Sequence, residues 1–343
     1  ESVSSLIAAA NPGDSARAMA QSLKDADKAT VLLGNVATSH PEFSTLKALA
    51  AVIAAASGAV LGVLTDGGNG AGGWLAGVLP HRGPAGAAVT AAGLDAGAML
   101  AEPRKAYLLF GVEAGNDCAN PAQAATALDT ADFVVCAGVF ASEAMKAQAD
   151  VLLPVSPFTE TSGTYINTEG RWQSFAGVAA PVGDSRPGWK VMRVLGNQLG
   201  LDGFEQQGSE EIRDALQQQV GTVALDNSQA GGAVAPASAA ADGLERVGEV
   251  AINAVDALVR RAPALQDTPD ARAAGRVRLN AAQAEKSGVR DGYTVTVSQG
   301  DASATMDVEI SERVPDGCLW IQSGTEAAAT LGAAFGSISI ERV

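Results

Sequence analysis

The sequence predicts an α/β domain with an open, mainly parallel sheet, followed by a small, mostly β, barrel-like C-terminal domain. In residues 1–205, short apolar runs alternate with helix-like segments, and this alternation is typical of a parallel sheet covered on both faces. After residue 275 the runs shorten and turn signals separate them, as in a small barrel. Between these parts, residues 206–274 predict a helical or extended linker region with a low-complexity stretch at 231–241.

The strands of the α/β domain are mostly apolar runs rich in Val, Leu, Ala and Phe. They are predicted at residues 29–34, 59–64, 106–111, 132–137 and 150–153. Helices are predicted at residues 43–53, 121–128, 142–147 and 186–199, and one more short helix at 209–219. Pro187 in the first turn and Gly200 just past the end delimit the helix at 186–199.

The predicted C-terminal domain spans residues 275–343. Turn signals at Asp291-Gly292, Gly300-Asp301 and 315–317 separate its short β runs. Strands are predicted at residues 276–279, 294–298, 304–310, 318–322 and 337–342.

The composition excludes several classes of function. The formal net charge is −15 and the sequence pI is about 4.5, whereas nucleic-acid binding requires clustered Lys and Arg. The same charge opposes direct binding to an anionic bilayer. The low-charge run at residues 46–64 is mostly Ala and is broken by Ser57-Gly58, so it predicts a buried helix and strand instead of a membrane span. We therefore expect a protein that binds no nucleic acid and does not insert into the membrane.

The titratable side chains predict no metal centre and no catalytic group. Cys118, Cys136 and Cys318 are widely separated, and neither a C-x-x-C motif nor a Cys/His cluster is present. Free thiols in a reducing compartment are expected. His40 and His81 have loop-like neighbours and no nearby nucleophile or acid in a triad pattern, so both are expected to be loop histidines.

A glycine-rich loop offers one alternative function. Gly68, Gly70 and Gly73 form a G-x-G-x-x-G motif after a predicted strand, as in dinucleotide-binding folds. The segment that follows is a poor helix ending at Pro80, and the acidic residue at a suitable distance, Asp95, does not end an obvious strand. A nicotinamide dehydrogenase is therefore retained only as an alternative, which predicts tight NADH binding.

The most informative segment is residues 149–173, which read A-D-V-L-L-P-V-S-P-F-T-E-T-S-G-T-Y-I-N-T-E-G-R-W-Q. A buried strand ends at Pro154, and a polar loop follows at the carboxyl end of that strand, where α/β sheets bind ligands. Its polar side chains can tie the loop to itself through hydrogen bonds and ion pairs. The candidate site residues here are Glu160, Gly163, Thr164, Asn167, Glu169 and Arg171.

This segment resembles the A-D-x-x-L-P…E…G-T-x-x-N-x-E-G-R run shared by molybdopterin oxidoreductases. The resemblance continues through P-V-G-D-S-R-P-G-W-K-V-M-R-V-L-G-N-Q-L-G and D-A-L-V-R-R-A-P-A-L-Q-D-T, which are similar to the large iron–sulfur subunit, the G subunit, of respiratory NADH:quinone oxidoreductases (complex I). Residues 279–321 resemble the C-terminal β-barrel domain of the same family. The resemblance implies a molybdopterin-oxidoreductase-like fold, with the six candidate residues near a pterin cleft.

The resemblance also implies a place in electron transport. The intact subunit relays electrons from NADH toward quinone through iron–sulfur clusters that are bound by cysteines in N-terminal domains. No cofactor is therefore expected in this chain. The implied partners are other subunits of the hydrophilic arm, at the cytoplasmic side of the inner membrane.

Two departures from the nucleotide-binding relatives bear on a pterin site. Those relatives have Gly-x-Asn-Pro after the third strand, whereas this chain has Gly111-Val112-Glu113, and a carboxylate would oppose a diphosphate. The polar stretch that grips the pterin before the barrel is replaced by residues 263–276. Both departures favour a structural region without an active site. The alternative is the nucleotide-binding half of a molybdopterin-dependent oxidoreductase.

Overall fold

The structure, a computed structural model, describes residues 13–64, 67–222 and 243–343. The low-complexity stretch at 231–241 lies outside these residues. The strands are β1 (Thr30–Leu33), β2 (Val60–Val63), β3 (Ala106–Phe110), β4 (Phe133–Gly138), β5 (Val151–Pro154), β6 (Gly163–Ile166), β7 (Trp172–Phe175), β8 (Leu244–Val247), β9 (Val277–Leu279), β10 (Thr294–Gln299), β11 (Ala302–Ile310), β12 (Cys318–Trp320) and β13 (Gly336–Arg342).

The helices connect and flank these strands. They are α1 (Asp14–Asp25), α2 (Asn35–Thr38), α3 (Phe43–Ser57), α4 (Gly70–Leu75), α5 (Ala96–Ala101), α6 (Ala114–Asp117), α7 (Pro121–Asp129), α8 (Glu143–Gln148), α9 (Gly188–Gln198), α10 (Ser209–Val220), α11 (Pro263–Gln266), α12 (Pro269–Ala274) and α13 (Ala281–Lys286). Short 3₁₀ turns occur at Pro84–Gly86, Phe158–Glu160, Ile252–Ala254 and Val259–Arg261. Among the described residues, no helix combines the length and the apolar character needed to cross a membrane.

The predicted parallel strands all form, and in the described part of the chain they are divided between two sheets. β1 pairs with β2, and β3, β4 and β5 pair in chain order. Helix α3 covers one face of the first sheet through Ala50 and Ala54, which pack on Leu61. The α/β character predicted from the alternating pattern is confirmed.

One face of the β3–β5 sheet carries the core of the α/β domain. Tyr107, Val134 and Cys136 project from the strands and pack with Leu128 of α7 and Met145 of α8. Asn120 and Ser142 cap these two helices by accepting hydrogen bonds from backbone N–H groups in the first turn. The helices therefore begin close to where the sequence predicts them.

The C-terminal domain is a closed barrel with the strand order β10-β11-β9-β12-β8-β13. Its interior is filled by aliphatic side chains that include Leu279, Val295, Val297 and Leu331. Strand β8 belongs to the segment that was predicted as linker, so the barrel also uses residues N-terminal to 275. The sequence L-E-R-V gives only a weak apolar signal, because Arg246 faces the barrel interior beside Leu244.

A second difference concerns the segment after β5, which was predicted as a polar loop. Strands β6 and β7 form an antiparallel hairpin there. These strands contain Thr, Tyr, Gln and Ser, so they lack the alternation of apolar and polar residues by which a strand is predicted. The turn between them fixes their pairing.

Candidate functional site

A cleft of about 650 Å³ lies between the carboxyl ends of the parallel strands and the barrel. The sheet side is formed by residues that follow β1 and β3, including Ser39, Gly111 and Asn116. The barrel side is formed by residues 248–250, 255–257, 323 and 333–335. Because ligands of open α/β sheets bind at the carboxyl ends of the strands, this cleft is where a cofactor would be sought.

The charges of the cleft are all of one sign. Among the described residues that line it, Asp117, Glu249 and Asp256 carry carboxylates, and no Lys or Arg is present. An anionic ligand is normally held by guanidinium groups, ammonium groups or helix N-termini. The lining side chains therefore oppose a diphosphate.

Asp117 of the cleft lining belongs to a largely buried ion-pair cluster of Glu113, Asp117, Arg260 and Arg261. Arg261 makes a bidentate contact with Glu113 at 2.9 and 3.2 Å. Arg260 makes a second bidentate contact with Asp117 at 2.7 and 3.3 Å, and it also lies 3.6 Å from a Glu113 oxygen. Two carboxylates and two guanidinium groups thus balance each other.

Local structure on both sides positions the ion-pair cluster. Glu113 directly precedes α6, and its N–H donates to Asp117 Oδ2 at 2.7 Å, so the loop after β3 presents both carboxylates together. On the other side, Asp256 Oδ1 accepts from the N–H groups of Leu258 and Val259, which fixes the turn that carries the arginines.

Two further contacts orient the guanidinium groups of this cluster. The Arg261 guanidinium stacks over Phe140 at 4.5 Å from the ring centroid. Arg260 also donates to the Ala254 carbonyl at 2.9 Å. The cluster joins the α/β domain to the segment before the barrel, across residues that the sequence pattern does not bring together.

Arg246 is a second charged group that the sequence did not single out. Its side chain lies inside the barrel, and the residue is 1% exposed. Nη1 donates to Gln299 Oε1 at 3.1 Å and to the carbonyls of Gly332 and Ala333 at 3.0 and 3.2 Å. None of the salt bridges within the described residues includes it, and burial lowers its pKa to about 10. Arg246 therefore stays charged at neutral pH and holds the 332–335 loop that lines the cleft.

The six candidate residues lie in the 158–160 turn and the β6–β7 hairpin, outside the lining of the cleft. Glu160 accepts from the Val182 N–H at 3.1 Å, and Thr164 Oγ1 lies 3.0 Å from Ser174 Oγ across the hairpin. Asn167 Oδ1 accepts from the N–H groups of Glu169 and Arg171.

The remaining contact among the candidates is weak. The Glu169–Arg171 ion pair spans 3.8 Å and is exposed, and Gly163 is a strand residue beneath Phe175. The polar side chains thus tie the segment to itself, as the sequence predicted. Their assignment to a pterin site stays a prediction.

The glycine-rich loop has a packing role. Asn69 Oδ1 accepts from the Ile166 N–H at 2.8 Å, and Gly68 lies beneath the Tyr165 ring. The helix that follows, α4, has 6 residues, and Asp95 caps α5 through the Ala98 N–H at 2.7 Å. The loop therefore packs against the hairpin. Asp95 caps α5, where a dinucleotide-binding fold would use the acidic residue to contact a ribose.

Adjacent glycines in this loop provide a test of that packing role. A Cβ on Gly72 would overlap the Asn69 side-chain oxygen, whereas a Cβ on Gly73 would meet nothing within 4 Å. We expect Gly72→Ala to destabilise the protein by about 1–2 kcal/mol, because Asn69 must give up its bond to the hairpin. Gly73→Ala, in the same helix, should be neutral or stabilising. Equal midpoints for the two variants in urea unfolding would contradict the packing role.

The three cysteines are free thiols in the described structure. Burial raises the pKa of Cys118, and the adjacent Asp117 raises it further. Burial also raises the pKa of Cys136, and it raises that of Cys318 together with Glu245. Among the described residues, no group of three or more His, Cys, Asp or Glu side chains could hold a metal ion.

The raised cysteine pKa values predict slow alkylation. The thiolate is the reactive form, so at pH 8 we expect iodoacetamide to modify Cys118 at least about tenfold more slowly in the native protein than in urea. Mass spectrometry of timed samples resolves each cysteine. A native rate for Cys118 equal to the rate in urea would show that the thiol is exposed and ionised.

A ligand cleft at the ends of parallel strands, closed by a β-barrel, defines a two-part cofactor-binding fold. The chain belongs to the molybdopterin oxidoreductase family. The family model described as "Molybdopterin oxidoreductase" matches residues 9–198, and the one described as "Molydopterin dinucleotide binding domain" matches residues 257–338.

Two relatives agree with the resemblance found in the sequence. The G subunit of NADH-quinone oxidoreductase from Streptomyces coelicolor (strain ATCC BAA-471 / A3(2) / M145) is 29% identical over 77% of this chain and 31% of its own length. A protein of Staphylococcus aureus (strain USA300) that is provisionally named formate dehydrogenase is 36% identical over 32% of this chain and 11% of its own length. The chain thus spans less than a third of the length of either relative. The resemblance to the respiratory subunit is confirmed.

The solved structure of acetylene hydratase from Pelobacter acetylenicus shares the fold. It superposes with a TM-score of 0.54 at 14% identity, covering 74% of this chain and 47% of that chain. The family name implies a pterin dinucleotide, whose diphosphate is anionic. The carboxylates of the cleft and the neutralised arginines beside it do not suit such a group.

Proposed function

We propose that this chain is the C-terminal scaffold region of a large iron–sulfur subunit of NADH:quinone oxidoreductase, without an active site of its own. The observation that carries the proposal is the ion-pair cluster. Glu113 and Asp117 occupy the loop after β3 where a nucleotide-binding relative would bring backbone to the cofactor, and they bind Arg260 and Arg261 instead.

Electrostatics support the scaffold role. A diphosphate entering the cleft would face the carboxylates of Glu249 and Asp256, and it would meet Asp117 already paired with Arg260. To gain a cationic partner it would have to displace a carboxylate from Arg260 or Arg261, which would leave that carboxylate buried and unpaired. The same pairs are useful in a scaffold, because they fix the α/β domain against the segment that leads into the barrel.

The proposal extends to the setting of the protein. The match to the Streptomyces respiratory subunit supports assembly with other subunits of the hydrophilic arm, on the cytoplasmic side of the inner membrane and peripheral to it. The intact subunit would relay electrons from NADH toward quinone through iron–sulfur clusters held by cysteines outside this chain. The large negative charge suits contact with basic surfaces of neighbouring subunits.

The second candidate is the nucleotide-binding half of a molybdopterin-dependent oxidoreductase. The match of residues 257–338 to a dinucleotide-binding domain favours it, as does the relative provisionally named formate dehydrogenase. This candidate requires that Glu113 and Asp117 move away from the arginines when the cofactor binds.

One experiment separates the two candidates. The intact parent protein is purified from its own cells with an antibody to this chain, and molybdenum, tungsten and released pterin are assayed per mole. The scaffold proposal expects none of the three, together with co-purifying respiratory subunits and iron. Near-stoichiometric pterin and metal would contradict it and support the enzyme.

A further inference from the structure

The contacts that hold the Asp117 side chain have the geometry of a carboxylate receptor. Arg260 Nη1 donates to Asp117 Oδ1 at 2.7 Å, and Arg260 Nη2 donates to Oδ2 at 3.3 Å. The backbone N–H of Glu113 donates to the same Oδ2 at 2.7 Å. A guanidinium group that makes two parallel hydrogen bonds recognises the planar shape of a carboxylate as well as its charge. The Asp117 carboxylate therefore occupies a site with three converging donors.

The donors of this receptor are fixed by contacts that do not involve Asp117. The Arg260 side chain is 10% exposed, its Nη1 also donates to the Ala254 carbonyl at 2.9 Å, and its Nη2 lies 3.6 Å from Glu113 Oε2. Glu113 is held in turn by its bidentate contact with Arg261. The donors thus stay in place when the Asp117 carboxylate is removed, and the receptor is preorganised for a ligand.

The receptor lies beside the cleft. Asp117 is one of the residues that line the cleft of about 650 Å³, and its side chain is 24% exposed. Arg260 is not one of the lining residues, so the Asp117 carboxylate lies between the guanidinium group and the cleft. A carboxylate that enters the cleft from solvent can therefore reach the position that the Asp117 carboxylate occupies.

The charges around the receptor favour a monoanion. The ion-pair cluster contains two carboxylates and two guanidinium groups, so exchange of the Asp117 carboxylate for a bound one leaves its net charge unchanged. A diphosphate would bring additional negative charge toward Glu249 and Asp256, the other carboxylates of the cleft. In the unmodified protein a ligand must compete with a carboxylate that the chain itself holds at high effective concentration.

We propose that Arg260 and the Glu113 N–H form a binding site for a small monocarboxylate at the edge of the cleft, and that Asp117 closes this site as an internal competing ligand. The site opens when the Asp117 side chain leaves the guanidinium group. The inference goes beyond the proposed scaffold function, which requires only that the ion-pair cluster joins the α/β domain to the segment before the barrel.

Hydrogen exchange in the intact parent protein tests the proposal. Asp117→Gly removes the internal carboxylate, and acetate has the dimensions of the group that is removed. We expect the Glu113 N–H of this variant to exchange at least about tenfold faster than in the unmodified protein, because it loses its acceptor. Acetate at about 0.1 M should restore the exchange rate to within about threefold of that of the unmodified protein, whereas sodium chloride at the same ionic strength should not. Mass spectrometry of peptides covering residues 111–118 measures these rates.

Asp256 provides the matched control. Its Oδ1 accepts from the N–H groups of Leu258 and Val259, but it takes part in none of the ion pairs of the described residues at this cleft. In Asp256→Gly these two N–H groups should exchange faster, and acetate should not slow them, because no guanidinium group is present to bind it.

Three results would overturn the proposal. Acetate could fail to slow the Glu113 N–H in Asp117→Gly, chloride could slow it equally through screening alone, or acetate could protect the Asp256→Gly control to the same extent. Asp117→Ala repeats the test if the Gly variant does not accumulate. These rates do not depend on pterin or metal content, so a negative result leaves the scaffold function in place. Pterin found in the purified parent protein would contradict the scaffold function and leave the carboxylate site in place.

Discussion

Glu113→Ala is expected to destabilise the protein by about 3 kcal/mol, because it removes one partner from a buried ion pair and leaves the other uncompensated. The Glu113 side chain is 8% exposed, and Arg260, which is 10% exposed, keeps Asp117 as its partner, so the charge left without a carboxylate is that of Arg261. Arg261 is 33% exposed and can recover part of its hydration. The expected loss of stability is therefore at the lower end of the range of about 3–5 kcal/mol for breaking a buried ion pair. Urea unfolding followed by circular dichroism measures the change.

A surface carboxylate provides the matched control. Glu169 also pairs with an arginine, Arg171, but both side chains are about 70% exposed. Glu169→Ala should therefore change stability by less than about 0.5 kcal/mol. The double variant Glu113→Ala with Arg261→Ala should lose less than the sum of the single variants, since the two groups interact directly. A Glu113→Ala variant as stable as the Glu169→Ala control would show that the cluster does not hold the domains together.

The second large effect is expected at Arg246. Arg246→Ala should destabilise the protein by about 3 kcal/mol, because it opens a cavity in the barrel and removes the donor from two acceptor oxygens. Those acceptors belong to Gln299 and Gly332, whereas the Ala333 carbonyl still accepts from Gln299 Nε2 at 2.8 Å. Removing a buried charge that has no counter-ion offsets part of this loss.

Two further variants make the Arg246 result interpretable. Arg290 lies on the surface of the same domain, and Arg290→Ala should stay within about 0.5 kcal/mol of the unmodified protein. Arg246→Met fills most of the space without a charge or a donor. If Arg246→Met is as stable as the unmodified protein, the hydrogen bonds to the 332–335 loop do not contribute net stability, and the role assigned to Arg246 is wrong.

Much of the fold is predictable from the sequence because the relevant information is local. The runs at 106–111 and 132–137 are apolar throughout, and β3 and β4 occupy them to within a residue at each end. The barrel strands β10, β11 and β12 each follow a turn signal that is visible in the sequence. The β6–β7 hairpin and strand β8 were not predicted, because many of their residues are polar or charged and hydrophobic periodicity cannot identify such strands.

The sequence indicated the residues of the ion-pair cluster but not their contact. Glu113 stands out as a carboxylate where a nucleotide-binding relative has none, and the segment carrying Arg260 and Arg261 stands out as similar to the respiratory subunit. A carboxylate in the first segment and two arginines in the second could have suggested an ion pair. Nothing in the spacing shows that they meet, because they are 148 residues apart in the chain.

The sequence by itself determined the order of strands and helices, the acidic character, the family and the isolation of the cysteines, since each is a property of composition or of short segments. Only the tertiary structure decided which charges neutralise each other and that Arg246 turns into the barrel. These depend on how distant segments pack, and packing sets the burial and the distances on which the strength of a charge pair or a hydrophobic face depends.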